Sequence, residues 1–217
     1  MLSLVNNYSS HMTRILLLLI ILITIGSESM VNQINDDLDW ELSKSKDGIS
    51  VYTRKVSFSN YKEFKGEVVV VANPEQVISI LKNIDGYKEW LPDCLESKML
   101  KKMDESQQMN YIHTDVPWPY DDRDLIYKFT VTDKINTKQI IISIENKPEY
   151  IESVNGIVRI PSAQGLWIIT PTSKNKTKLV YQMHVEPGGY VPAWLANLKI
   201  TDTPYGFLYN LRKQLEK

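Results

Sequence analysis

Residues 179–217 read LVYQMHVEPGGYVPAWLANLKITDTPYGFLYNLRKQLEK, and two different periodicities meet inside them. Leu179, Tyr181, Met183 and Val185 alternate with Gln182 and His184, the period of two expected of a strand with one buried face. Pro187-Gly188-Gly189 breaks that strand, and Pro192 suits the first turn of a helix. From there Trp194, Leu195, Leu198, Thr201, Tyr205, Leu208, Leu211 and Leu215 recur at intervals of three and four. They form one apolar stripe over about six turns, and Pro204 is expected to kink the helix. Such a stripe must bury itself against a sheet face, so the arrangement is α+β.

Upstream segments supply the sheet. Asp47-Gly48 marks a turn ahead of Ile49–Val56, a β-branched and aromatic strand. Tyr61–Val71 ends in four valines and reads as a strand buried on both faces near its end. Asn73 then caps a helix with Pro74 at its first position and Gln76 completing a capping box. Val77, Leu81 and Ile84 follow at helical spacing, and Asp85-Gly86 is expected to close the segment. From about Cys94 to Glu186 strands succeed one another: 111–116, 123–132, 139–145, 157–160, 166–170 and 179–185. Turn-like stretches at 134–137, 152–156 and 172–176 separate some of them, so an antiparallel meander is expected. Leu125, Tyr127, Phe129 and Val131 share one face of their strand, with Lys128 and Thr130 on the other.

The N-terminus is of another kind. Ile15–Ile25 is aliphatic except for Thr24, follows Arg14, and precedes the small residues Gly26, Ser27 and Ser29. It falls short of the ~20 apolar residues a spanning helix needs and matches the apolar region of an export signal. Residues 1–29 are therefore expected to be a signal peptide or N-terminal anchor, with Met12 the more ordinary start and 1–11 an extension. Residues 30–217 form one domain, and the expected location is exported: the periplasm or cell envelope.

Composition narrows the function. Twenty-five basic and 26 acidic residues give a net charge of −1 with no basic cluster, which argues against nucleic acid as a partner. Cys94 stands alone, so no intramolecular disulfide forms, and it reads as a small buried hydrophobe. Ten prolines and short loops fit a compact monomer. No Gly-x-Ser-x-Gly, His-Glu-x-x-His, P-loop or Gly-x-Gly-x-x-Gly occurs, so no catalytic residue and no cofactor is assigned. His113 and His184 read as strand histidines. Asp121, Asp122 and Asp124 around Arg123 read as a turn rather than a metal site. Pro187-Gly188-Gly189 lacks the Lys of a phosphate loop and reads as a hinge.

Several segments in order carry a resemblance. They are Tyr87-Lys-Glu-Trp90-Leu-Pro92 followed by Glu96, Pro117-Trp118-Pro119, Asp122-Arg123-Asp124, Val158-Arg159, Gly165-Leu-Trp167, Glu186-Pro187-Gly188-Gly189 and Pro192-Ala-Trp194-Leu195. Together, over residues ~40–217, they resemble the START family, lipid-transfer domains related to steroidogenic acute regulatory protein. The resemblance implies a helix-grip fold, a strongly curved antiparallel sheet around a long C-terminal helix, with a lipid or other hydrophobic small molecule between them. It implies a buried charge pair in the cavity, matched here by Glu96 and Arg123, as anchors for a ligand head group. It also implies a lid formed by the C-terminal helix, with Trp194, Leu195 and Leu198 as ligand contacts, and leaves room for transient membrane contact. Trp118 and Trp167 are expected in the core. The apparent export signal fits a prokaryotic member. Related helix-grip cavities host cyclases and aromatases, for which Glu96, Arg123 and His113 are the available acid–base set.

Overall fold

A computed structural model describes residues 39–134 and 138–217. The export segment at 1–29 and the centre of the turn at 134–137 lie outside the described residues. Within Glu41–Lys217, ten strands form one sheet. In chain order these are β1 (Glu41–Lys46), β2 (Ile49–Val56), β3 (Ser59–Val70), β4 (Cys94–Lys102), β5 (Gln107–Thr114), β6 (Asp122–Lys134), β7 (Gln139–Asn146), β8 (Ile157–Arg159), β9 (Ser162–Ser173) and β10 (Lys176–Glu186). The spatial order β1-β2-β3-β10-β9-β7-β6-β5-β4 is antiparallel throughout, and the short β8 lies parallel to β6. Asp47 and Gly48 both take positive φ, the conformation a two-residue β-hairpin turn requires.

Between β3 and β4 the chain leaves the sheet as α1 (Pro74–Lys82) and a 3-10 helix (Ile84–Glu89). The expected capping box is present: Gln76 N–H donates to Asn73 Oδ1 at 2.9 Å, and Asn73 N–H to Gln76 Oε1 at 3.0 Å. Asp85-Gly86 does not close this segment but lies within the 3-10 turn, because Asn83 already ends α1.

The C-terminal stripe divides in two. Helix α2 (Ala193–Lys199) and helix α3 (Asp202–Leu215) meet at Ile200–Thr201. Pro204 therefore does not kink one long helix. It sits in the first turn of α3, where a missing N–H costs no helical hydrogen bond. Pro192 likewise caps α2 from just outside it. Phe207, Leu208 and Leu211 of α3 are buried against the inner face of the sheet, whereas α2 buries no residue fully. Gly66 of β3 lets α3 approach: a Cβ there would stand 2.7 Å from Leu208 Cδ1. The fold is thus a helix-grip, a curved antiparallel sheet closed over a C-terminal helix.

Alternation governs burial more strictly than the valine run suggested. Val68 and Val70 face the core, and Val69 and Val71 are exposed, so β3 is covered on one face at its end. The inner face carries the main core. A smaller cluster of Met109, Tyr111 and Ile126 lies on the outer face beneath Ile151, from the β7–β8 connection.

Candidate functional site

Between the inner face of the sheet and the two C-terminal helices lies a half-open cavity of about 300 Å³. Its floor is aromatic. Trp167 stacks on Tyr181 with ring centroids 4.3 Å apart, and Phe207 of α3 contacts both at 5.2 Å. Phe207 also meets Tyr87 and Trp90 edge-on, so the 3-10 helix, the sheet and α3 share one aromatic joint. Aliphatic walls come from alternate positions of neighbouring strands, among them Ile112, Leu125, Ile144 and Val185.

The phenols in this wall are already engaged. Tyr87 donates to Leu81 O at 2.8 Å, and Tyr181 to Met183 Sδ at 3.2 Å. Burial pushes the pKa values of Tyr87, Tyr127 and Tyr181 well up, so all three remain neutral phenols. Burial also raises the pKa of the half-buried Cys94 thiol, against a nucleophilic role.

At the mouth, polar bonds fasten α2 and the hinge to the sheet. Asn197 accepts from Lys62 N–H at 2.8 Å and donates to Asn60 O at 3.0 Å. Tyr61 donates its hydroxyl proton to Val191 O at 2.7 Å. Gly188 and Gly189 both have positive φ, and Arg123 reaches across to donate to Gly188 O at 3.3 Å and to Pro187 O at 3.5 Å. Its third bond goes to Asp121 O, so one guanidinium ties the β5–β6 connection to the β10–α2 connection. Because α2 buries little, these few bonds hold it. Replacing Asn197 with Ala removes two of them, about 1–2 kcal/mol. Amide hydrogen exchange in α2 is then expected to speed up about tenfold, with the global urea midpoint nearly unchanged. Equal acceleration throughout the sheet would contradict a separately opening α2.

The expected site residues are distributed differently. Arg123 is 4% exposed on the inner-face register beside Thr114. Glu96 does not meet it: its carboxylate is half-exposed and pairs with Lys98 at 2.7 Å. The cause is a β-bulge. Cys94 pairs with the inward Thr114, but the register shifts before Glu96, which falls opposite His113 on the outer face. The most deeply buried charge pair among the described residues is instead Asp124–Arg159 on the outer face, with contacts of 2.7 and 3.0 Å. Trp194 and Leu198 point outward, 70% and 69% exposed, and Leu195 is half-buried. None of Glu96, Arg123, Trp194, Leu195 and Leu198 lines the cavity; α2 and the α2–α3 junction contribute Ala196, Asn197 and Ile200 instead. Trp167 is in the core as expected, but Trp118 is 92% exposed. The three aspartates do not converge. Asp122 contacts His113 Nε2 at 3.0 Å, Asp124 pairs with Arg159, and Asp121 is exposed. His113 alternates with the cavity-lining Ile112 and Thr114 and so lies on the outer face.

Missed by the sequence reading were Lys62 and Asn197, both lining the mouth. Lys62 carried a signal. It shares the parity of Phe64, Gly66 and Val68, the apolar side of its strand.

Fold and cavity together define a helix-grip protein with a half-open apolar cavity between sheet and helices. Comparison with known proteins gives the family. A sequence model described as START domain matches residues 28–216, and the chain belongs to the START domain family. An uncharacterised protein of Pseudomonas aeruginosa is 34% identical, over 82% of this chain and 88% of that protein. The crystal structure of a STAR-related lipid transfer protein fragment from Xanthomonas axonopodis is 37% identical and superposes with a TM-score of 0.78, covering 82% of this chain and 99% of that one. Phosphatidylcholine transfer protein of Mus musculus is 23% identical over 81% of this chain and 83% of that protein.

Proposed function

We propose that this protein binds a lipid or similar hydrophobic molecule in the inner cavity and transfers it between membranes of the cell envelope. The observation that carries the reading is the half-open aromatic and aliphatic cavity beneath a separately fastened α2. Burial of an acyl chain there supplies affinity at about 0.8 kcal/mol per methylene. The STAR-related lipid transfer protein of Xanthomonas and phosphatidylcholine transfer protein of mouse support the same class of ligand for this chain. The export signal read from residues 12–29 supports the envelope as the place of action.

Exposed apolar side chains near the mouth support an exit route there. Trp194 and Leu198 on α2, Tyr190 just before it, and Trp118 on the segment tied to it through Arg123 all face outward. Trp and Tyr favour the membrane–water interface, so this surface suits transient contact with a bilayer during loading and release. Replacing Trp194 and Leu198 together with Ser is expected to lower vesicle binding and the transfer rate at least tenfold, while affinity for the ligand in solution stays the same. Unchanged transfer would remove this surface from the route.

An enzyme of the cyclase type is the weaker reading. Its acid–base candidates Glu96 and His113 lie on the outer face, and Arg123 is engaged by backbone carbonyls. The direct test is to purify the full chain, extract it under denaturing conditions and analyse the organic phase by mass spectrometry. A stoichiometric lipid supports carriage and names the ligand class. No recovered lipid, together with no uptake of fluorescent lipids, would reject it.

A further inference from the structure

Among the described residues that line the cavity, Lys62 is the one charged side chain. It is half-buried on the inner-face register of β3, at the end of the strand where α2 closes the mouth. No carboxylate pairs with it among the described residues. The acidic groups on the adjoining strand ends lie on the outer register and have other partners. Glu63 accepts from Arg54 and Gln182, each at 2.7 Å, and Glu186 accepts from the Ser59 hydroxyl. Asp202, at the start of α3, pairs with Lys44 at 3.0 Å.

Arg123 adds to the same imbalance. Its side chain ends at three backbone carbonyls and no carboxylate, and one of those carbonyls belongs to Pro187, which lines the cavity. Pairing of Glu63 with His184 places the start of β3 beside the end of β10, so Lys62 and Pro187 belong to the same end of the sheet. An apolar chamber therefore opens on positive charge with no acid among the described residues to neutralise it. Charge in an apolar site is retained at least cost when a counter-charge arrives with the ligand.

We infer that the ligand is an amphiphile with an anionic head group, a carboxylate or a phosphate monoester, whose chain lies on the aromatic floor and whose charge pairs with Lys62 at the mouth. A volume of about 300 Å³ lies at the low end of ligand pockets and favours a single chain. This rests on the proposed role of the cavity as the lipid site.

The test uses the full chain and the uncharged fluorophore N-phenyl-1-naphthylamine, displaced at pH 8 by four compounds with the same 14-carbon chain. Their heads are carboxylate, phosphate monoester, alcohol and trimethylammonium. The two anions are expected to compete about tenfold better than the alcohol, and the trimethylammonium worse than the alcohol. The stronger anion tells carboxylate from phosphate. In Lys62→Ala the anions lose their advantage over the alcohol, and Lys62→Arg keeps it. Equal competition by the alcohol in the wild type, or uniform weakening of all four in Lys62→Ala, would overturn the anionic head group while leaving a hydrophobic site standing. If none displaces the fluorophore, the cavity is not the lipid site and both readings fall.

Discussion

Replacing Arg159 with Ala will destabilise the domain by about 3–5 kcal/mol, the largest single loss expected outside the aromatic joint. Asp124 is 1% exposed, and Arg159 holds it through two nitrogens at 2.7 and 3.0 Å. The same guanidinium donates to the carbonyls of Pro148, Ile151 and Glu152, so it also fastens the β7–β8 connection over the outer-face cluster. Removing it leaves a buried carboxylate unpaired and frees Ile151 from above Met109, Tyr111 and Ile126. For a domain of this size the melting temperature should fall on the order of 10 °C, and urea denaturation should show a lower midpoint at similar slope. Arg159→Lys restores the charge without the fork and should recover part of the loss. Asp124→Leu combined with Arg159→Met should cost less than Arg159→Ala alone, because neither charge is then stranded. A loss under about 1 kcal/mol for Arg159→Ala would mean that the pair behaves like a solvated surface bridge.

The same pair shows where sequence legibility ends. Strand parity was readable because each face of a strand meets one environment: Leu125, Tyr127 and Phe129 point inward as their alternation with Lys128 requires. The capping box at Asn73 was readable because both partners lie within four residues. Asp124–Arg159 depends on β8 running parallel to β6, a pairing across 35 positions that no local pattern announces. The bulge before Glu96 was equally hidden. Leu95 is neither Gly nor Pro, yet one extra residue there moves Glu96 from the inner to the outer face. The break between α2 and α3 was half-legible. Pro204 announced an interruption, but a kink and a restart satisfy its missing N–H equally well in sequence terms. Aliphatic spacing continued through the break, so Trp194 and Leu198 looked like core when the shorter α2 turns them outward. Lys62 could have been found by asking which charged residue sits on the apolar parity of a strand.

Replacing Ala196 with Trp is expected to abolish lipid uptake while leaving the fold intact, the largest functional effect the cavity geometry implies. Ala196 lines the cavity from α2, a helix with no fully buried residue, so an added indole projects into open space rather than against packed atoms. Overpacking a filled core costs about 1–3 kcal/mol, whereas filling a pre-existing apolar space costs little and can stabilise. The indole would occupy a large share of about 300 Å³ and displace the chain that the ligand would lay there. Fluorescent-lipid uptake should fall more than tenfold, with the unfolding free energy from urea denaturation within about 1 kcal/mol of the wild type. The substitution leaves Lys62, Asn197 and Tyr61 untouched, so neither the charge at the mouth nor the bonds holding α2 are altered. Loss of uptake with retained stability would place the ligand in this chamber. Undiminished uptake by the folded variant would place it elsewhere.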